Sequence, residues 1–314
     1  MRFLKNENER KLGAALTLFG GACWGMSGSI GQYLFTAESM QSEWLVPVRL
    51  GLAGILLLAF SRIRYGRQVF APWKNRTDAA SLLIYGICGV SLCQFFYFST
   101  IQYSSAAMAT ILQDLSPVMI LIVTCMQEKR LPGIRELLCI VLALGGVFLL
   151  CTHGDPSHLT VPSRALLTGV LSAVCVTIYN VQPKKLLRRY PILILQGWAF
   201  LMGSVFFSVL FRIWTIRQVI TAAGALGIAF VVLIGNILAF PCYMSGVRRI
   251  GPQKSILYGF SEPAVAAVIT VTAFRQPIVP ADIIGFLLIF LMIVLISAEP
   301  RQKPDIHCPA DDIH

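Results

Sequence analysis

The sequence predicts an all-α polytopic membrane protein: ten transmembrane helices, arranged as two inverted five-helix repeats, with the N and C termini cytoplasmic. Three observations point there. Apolar residues make up 56% of the chain, charged residues only 13%, and the mean hydropathy is +0.72. That leaves too little polar surface to cover a soluble globule of 314 residues. Lys and Arg gather in short gaps between apolar runs, on alternate sides of the expected spans. The stretch 243–263 has an earlier copy 146 positions upstream, with Gly89 falling on Gly235, Tyr97 on Tyr243, Ser99 on Ser245 and Pro117 on Pro263.

A membrane-crossing helix needs about 20 mostly apolar residues. Ten stretches qualify, at about 12–34, 44–60, 79–103, 105–127, 137–151, 165–182, 191–212, 222–247, 255–274 and 283–298. The fifth and tenth are short, and only the uncharged Tyr103-Ser104-Ser105 divides the third from the fourth. Residues 12–37 carry no charge and show no clear small-x-small cleavage site, so they read as a retained first helix rather than a signal peptide.

With the N-terminus cytoplasmic, 21 of the 26 Lys and Arg fall on the cytoplasmic side, in the leader, the tail and every second loop. Four, Arg164, Arg212, Arg217 and Arg275, fall outside, and Arg49 lies within the second span. The net charge of +11 therefore signals topology rather than a nucleic-acid partner, which would need a solvated basic face. The loop near 153–164 separates a first five-helix unit, 1–152, from a second, 165–298, followed by a cytoplasmic tail, 299–314. Because five is odd, the second unit enters the membrane upside down.

The nine cysteines include no CxxC and read as small buried apolar residues. His153-x-Asp155-x-x-His158 has metal-like spacing, but its Gly, Pro and Ser neighbours describe a solvated loop, and no metal is expected. The sequon Asn75-Arg76-Thr77 falls on the expected cytoplasmic side and is discounted for glycosylation.

Both repeated stretches end in a proline, which deletes a backbone donor and frees the carbonyl four residues earlier, that of Gln113 or Gly259. Interrupted helices at corresponding places of two halves point to a shared binding site. Few charges lie deep within the spans: Asp114, Glu262 and Arg49, with Glu128 and Arg275 at helix ends. A mid-membrane carboxylate costs about 2.5–3.5 kcal/mol on insertion scales, so Asp114 and Glu262 must face a cavity, pair with a cation or stay protonated. Their functional reading is a central polar site binding a substrate amine or carrying a coupling proton. Their structural reading is a hydrogen bond to a freed carbonyl, or a pair with Arg49. Arg49 itself, near the outer end of its span, is expected to snorkel or ion-pair rather than touch substrate. Trp24, Phe96, Tyr97, Tyr179, Tyr243 and Tyr258 lie inside spans rather than at interfaces, and the repeated Tyr97 and Tyr243 are candidates for lining a pathway. Gln94, Gln113, Asn180 and Asn236 supply hydrogen-bonding groups, either there or to neighbouring helices.

In the first half a small-residue run, 104–117, reaches Ser116-Pro117 and is followed by an aliphatic stretch, 118–126, and Glu128. In the second, 251–263 reaches Glu262-Pro263, then 264–274 and Arg275-Gln276-Pro277. Together with the helix count and charge alternation, this pattern resembles the EamA-type members of the drug/metabolite transporter superfamily over nearly the whole chain. That family often shows a Gly-Glu step after the aliphatic stretch. Gln127-Glu128 keeps the acid, and Arg275-Gln276 keeps neither residue. The resemblance implies an inner-membrane carrier, commonly exporting amino acids or related metabolites, with a cavity lined by helices one, three, four, six, eight and nine. The candidates on those helices are Trp24, Tyr97, Asp114, Tyr179, Asn236, Tyr243 and Glu262, joined by Arg49 on helix two.

The expected function is thus secondary transport by alternating access, with a small-molecule substrate, a coupling proton or ion, the lipid bilayer as surroundings, and no cofactor. No P-loop, HExxH or GxSxG is present, which argues against an ATPase and a membrane-embedded enzyme. A passive channel or facilitator stays open at this point.

Overall fold

The computed structural model describes residues 2–155, 160–250 and 252–297. The expected tail 299–314 lies outside them, with Ala298, His158, His307, Cys308 and His314. The described chain is helical throughout: α1 is Arg2–Thr36, α2 Ser42–Tyr65, α3 Arg76–Tyr103, α4 Ala106–Gln127, α5 Ile134–Thr152, α6 Ser163–Val181, α7 Ile192–Phe211 and α8 Ala222–Val247. The ninth, α9, is two segments, Pro252–Gly259 and Ser261–Thr272, and α10 is Pro280–Ser297. Eight of these, α2 to α8 and α10, are long and apolar enough to cross a membrane. The apolar part of α1 is diluted by Gly13, Gly20, Gly21, Gly25, Gly28 and Gly31, and the apolar run within α9 is the shorter Leu257–Thr272.

Local chemistry sets the ends. Ser105 separates α3 from α4 by accepting a hydrogen bond from Met108 N at 3.2 Å, an N-cap. Asn75 caps α3 in the same way, accepting from Thr77 N at 2.9 Å, so the sequon residue has a structural task. Glu136 reaches back to Gly133 N at 2.7 Å, and Asp282 to Val279 N at 3.1 Å, starting α5 and α10 alike. The helix breaks before each repeated proline: α4 at Asp114–Leu115 and α9 at Phe260. Matching π-helical turns, Ile84–Ser91 and Val231–Leu238, lie in α3 and α8.

Helix packing recurs when α1–α5 are exchanged for α6–α10. The pair α1 with α8 has its counterpart in α6 with α3, and α1 with α9 in α6 with α4; α2 with α7, α4 with α9 and α5 with α10 are their own counterparts. One apolar cluster is centred on α2, α3, α7 and α8 and takes in the end of α1, the start of α4 and Ala266 of α9, and a second joins α4, α5, α6 and α10. The α2–α7 crossing depends on small residues. A Cβ on Gly54 would lie 2.7 Å from Leu201 N and 3.1 Å from Gly197 O, both backbone atoms that cannot swing aside. Gly54→Val is therefore expected to destabilise the fold by about 1–3 kcal/mol, the usual cost of overpacking. Its melting temperature and its share of monodisperse protein after extraction check this.

One expectation needs correction: of the cysteines read as buried, Cys88 is exposed and Cys242 only half-buried. His153 contacts Asp282 Oδ1 through Nδ1 at 2.5 Å, which ties the end of α5 to the start of α10.

Candidate functional site

Between the two apolar clusters lies a cavity of about 370 Å³, at the small end of the range for small-molecule sites. All eight candidates, Trp24, Arg49, Tyr97, Asp114, Tyr179, Asn236, Tyr243 and Glu262, are on its wall. Phe96 and Tyr258 are not: Phe96 packs with Cys93, Cys175 and Val176, and Tyr258 is exposed. The broken helices explain how the two acids reach the cavity. Asp114 sits in the interruption of α4, and Glu262 is the second residue after the interruption of α9.

The polar groups form two nodes. At the first, Tyr97 donates its hydroxyl hydrogen to Glu262 Oε1 at 3.3 Å. Close by on the wall, the rings of Trp24 and Tyr243 meet at 5.0 Å between centroids, and Trp24 Nε1 donates to Gly235 O at 3.0 Å. That carbonyl belongs to the π-helical turn of α8. Among the described residues, Asp114 Oδ2 is buried without a hydrogen-bond partner, as is Gln113 Oε1, while Gln113 Nε2 faces Cys93 Sγ at 3.7 Å.

The second node corrects the expectation for Arg49. Its side chain does not snorkel, being 1% exposed. It donates to Gln94 Oε1 through Nη2 and to Asn236 Oδ1 through Nη1 at 3.4 Å, and its Cζ stands 3.6 Å over the Phe98 ring. Among the described residues it forms no ion pair, so the structural reading that paired Asp114 or Glu262 with Arg49 is not met either. The helical position of Arg49 gave its depth only approximately, and only packing reveals which way so long a side chain turns.

Sequence reasoning missed a further pair on the wall, Tyr85 donating to Gln196 Oε1 at 2.9 Å. Its signal was present as two polar side chains inside apolar spans. Ser27, Cys93 and Thr110 also line the cavity, with no mark that separates them from packing residues in the sequence.

The two ends of the cavity differ. Its wall runs out to Leu187 and to the exposed Asn180, where α6 connects to α7. At that end Asp78, at the start of α3, accepts from Arg189 at 3.1 Å and from Tyr190 at 2.8 Å. Toward the opposite ends of these helices, off the cavity wall, lies a largely buried polar layer. Gln32 Oε1 accepts from Ala106 N at 2.8 Å, Gln102 Oε1 from Ser42 N at 2.8 Å, and the Thr100 and Thr168 hydroxyls meet at 2.8 Å. There Glu38, between α1 and α2, accepts from Thr221 Oγ1 at 2.5 Å, just before α8.

The profile of the EamA-like transporter family matches residues 11–152 and 163–298. The uncharacterized inner membrane transporter YicL of Salmonella typhimurium is 33% identical over 91% of this chain and 95% of its own. The uncharacterized transporter YyaM of Bacillus subtilis is 24% identical over 91% of this chain and 92% of its own. A solved crystal structure of another protein superposes with a TM-score of 0.62 at 15% identity, covering 92% of this chain and 96% of that one, which is a likeness of fold.

Proposed function

Since the chain belongs to the EamA-like transporter family, we propose that it is a secondary transporter of the inner or plasma membrane that exports a small metabolite, an amino acid or related compound, by alternating access. The observation that carries this reading is the single cavity onto which all eight deep candidates converge. Interrupted α4 and α9 contribute to it from corresponding places in the two halves.

In this reading all ten helices cross the bilayer, 1–152 and 165–298 are inverted copies, and both termini are cytoplasmic. The α6–α7 end is then the cytoplasmic mouth. Two contacts in matching places act as gates: Asp78 with Arg189 and Tyr190 at the mouth, and Glu38 with Thr221 at the polar layer. Each joins the start of α3 or α8 to a loop of the other half. Both are formed in this structure, and transport requires each to open in turn. Glu262 binds the substrate amine or carries the coupling proton, with Tyr97 orienting it, and Trp24 and Tyr243 contact the body of the substrate. No cofactor takes part, and no bond of the substrate is made or broken.

The test is counterflow of labelled amino acids into preloaded proteoliposomes. Saturable counterflow is the expected result, and non-saturating flux without counterflow would identify a pore. Tyr97→Ala and Tyr243→Ala are each expected to change the order of preferred substrates with little loss of folded protein. An equal fall in yield and in flux for every substrate would return both residues to packing.

A further inference from the structure

Among the described residues, Arg49 is a permanent charge without a counter-ion. A guanidinium keeps its proton in proteins, so its 1% exposed side chain holds a full positive charge inside the bundle. What surrounds it is dipolar: two amide oxygens and the face of Phe98. Its Nε has no acceptor. Asn236 Nδ2 has none either, although Asn236 is only 6% exposed and lines the same cavity. The amide cannot turn over to relieve this, because its oxygen is held toward Arg49 and turning would set donor against donor. Elsewhere this protein neutralises its cations with acids: Arg130 takes both oxygens of Glu136 at 2.6 and 2.7 Å, and Arg189 takes Asp78. A buried charge left unpaired is costly, and two adjacent donors lacking acceptors are what an oxyanion satisfies.

We infer that Arg49 and Asn236, braced by Gln94, form an anion-recognition subsite that takes a carboxylate group of the ligand. The inference rests on the cavity being a ligand site, as proposed above. Asp114 and Glu262 on the same wall favour a monoanion over a phosphate dianion, which they would repel. A ligand whose carboxylate meets Arg49 places the remainder of the molecule along the wall shared with Tyr97 and Glu262.

The test needs no transport. Purified full-length protein is melted in propionate, in inorganic phosphate and in chloride, at equal ionic strength. Propionate is expected to raise the melting temperature of the wild type and to leave Arg49→Gln unchanged. Asn236→Asp puts a carboxylate where the unpartnered amide nitrogen now stands, so without any ligand it is expected to melt a few degrees above wild type and to gain nothing from propionate. Asn236→Asp melting at or below wild type would overturn the inference, as would propionate stabilising Arg49→Gln equally. Stabilisation by phosphate alone would overturn the choice of carboxylate. Should Arg49→Gln fail to fold, Asn236→Asp still decides. Propionate binding that needs Arg49, in a protein showing no counterflow, would support the subsite while refuting the transport reading.

Discussion

Proteoliposomes carrying Glu262→Gln are expected to lose about ten- to a hundredfold of their counterflow, with normal insertion and melting, because a charge-assisted hydrogen bond contributes about 1.5–3 kcal/mol. The substitution keeps the volume of the side chain and an oxygen that can still accept from Tyr97, which now donates to Glu262 Oε1 at 3.3 Å. What it removes is the negative charge and the exchangeable proton. A loss of flux at unchanged stability therefore reports binding or coupling, whereas a merely structural hydrogen bond would survive in the glutamine. Wild-type counterflow in Glu262→Gln would remove this residue from the mechanism. The acid has no counterpart in the other half: at the repeat offset, Ser116 stands where Glu262 does, and Phe260 stands where Asp114 does. The chemistry is thus asymmetric within a repeated frame, so no second glutamate is placed to rescue the variant.

That contrast also marks what the sequence made legible. The interruptions of α4 and α9 follow from proline chemistry, and the depth of Asp114 and Glu262 follows from counting residues along apolar spans. Hydropathy likewise exposed most of the spans, because a lipid environment permits few alternatives to a helix. Of the ten stretches read from it, those in α1 and α9 fall outside the eight helices long and apolar enough to cross, α1 because helices that touch closely exchange leucine for glycine and so lose apolar signal while gaining contact. The direction of Arg49 was hidden for a different reason. Whether a long cation reaches for water or turns inward depends on Phe98, Gln94 and Asn236, partners 45 or more residues away in sequence. The Tyr85–Gln196 pair, separated by 111 residues, was hidden in the same way. Pairings across helices are set by packing, and a single sequence records each partner without recording that they meet.

The polar layer beyond the cavity supports the second large effect. A short bis-maleimide joining Glu38→Cys to Thr221→Cys is expected to arrest counterflow almost completely, with either single variant treated alike keeping most of its activity. The two side chains now touch at 2.5 Å, so a short linker spans them without moving either helix. Near them lies the layer made by Gln32, Gln102, Ser42, Thr100 and Thr168, whose hydrogen bonds must separate if a solute is to leave by that end. A carrier that alternates has to open here once in each cycle, whereas with the link in place its binding site stays reachable from the α6–α7 mouth. The linked protein should therefore still be stabilised by ligand as the unlinked protein is, and fail only in translocation. Cross-linking at Asp78 and Arg189, the matching contact at the mouth, should arrest transport from the other side and slow ligand access as well. Full counterflow with the Glu38–Thr221 link in place would mean that this end never opens, and alternating access through this cavity could not then be how the protein works.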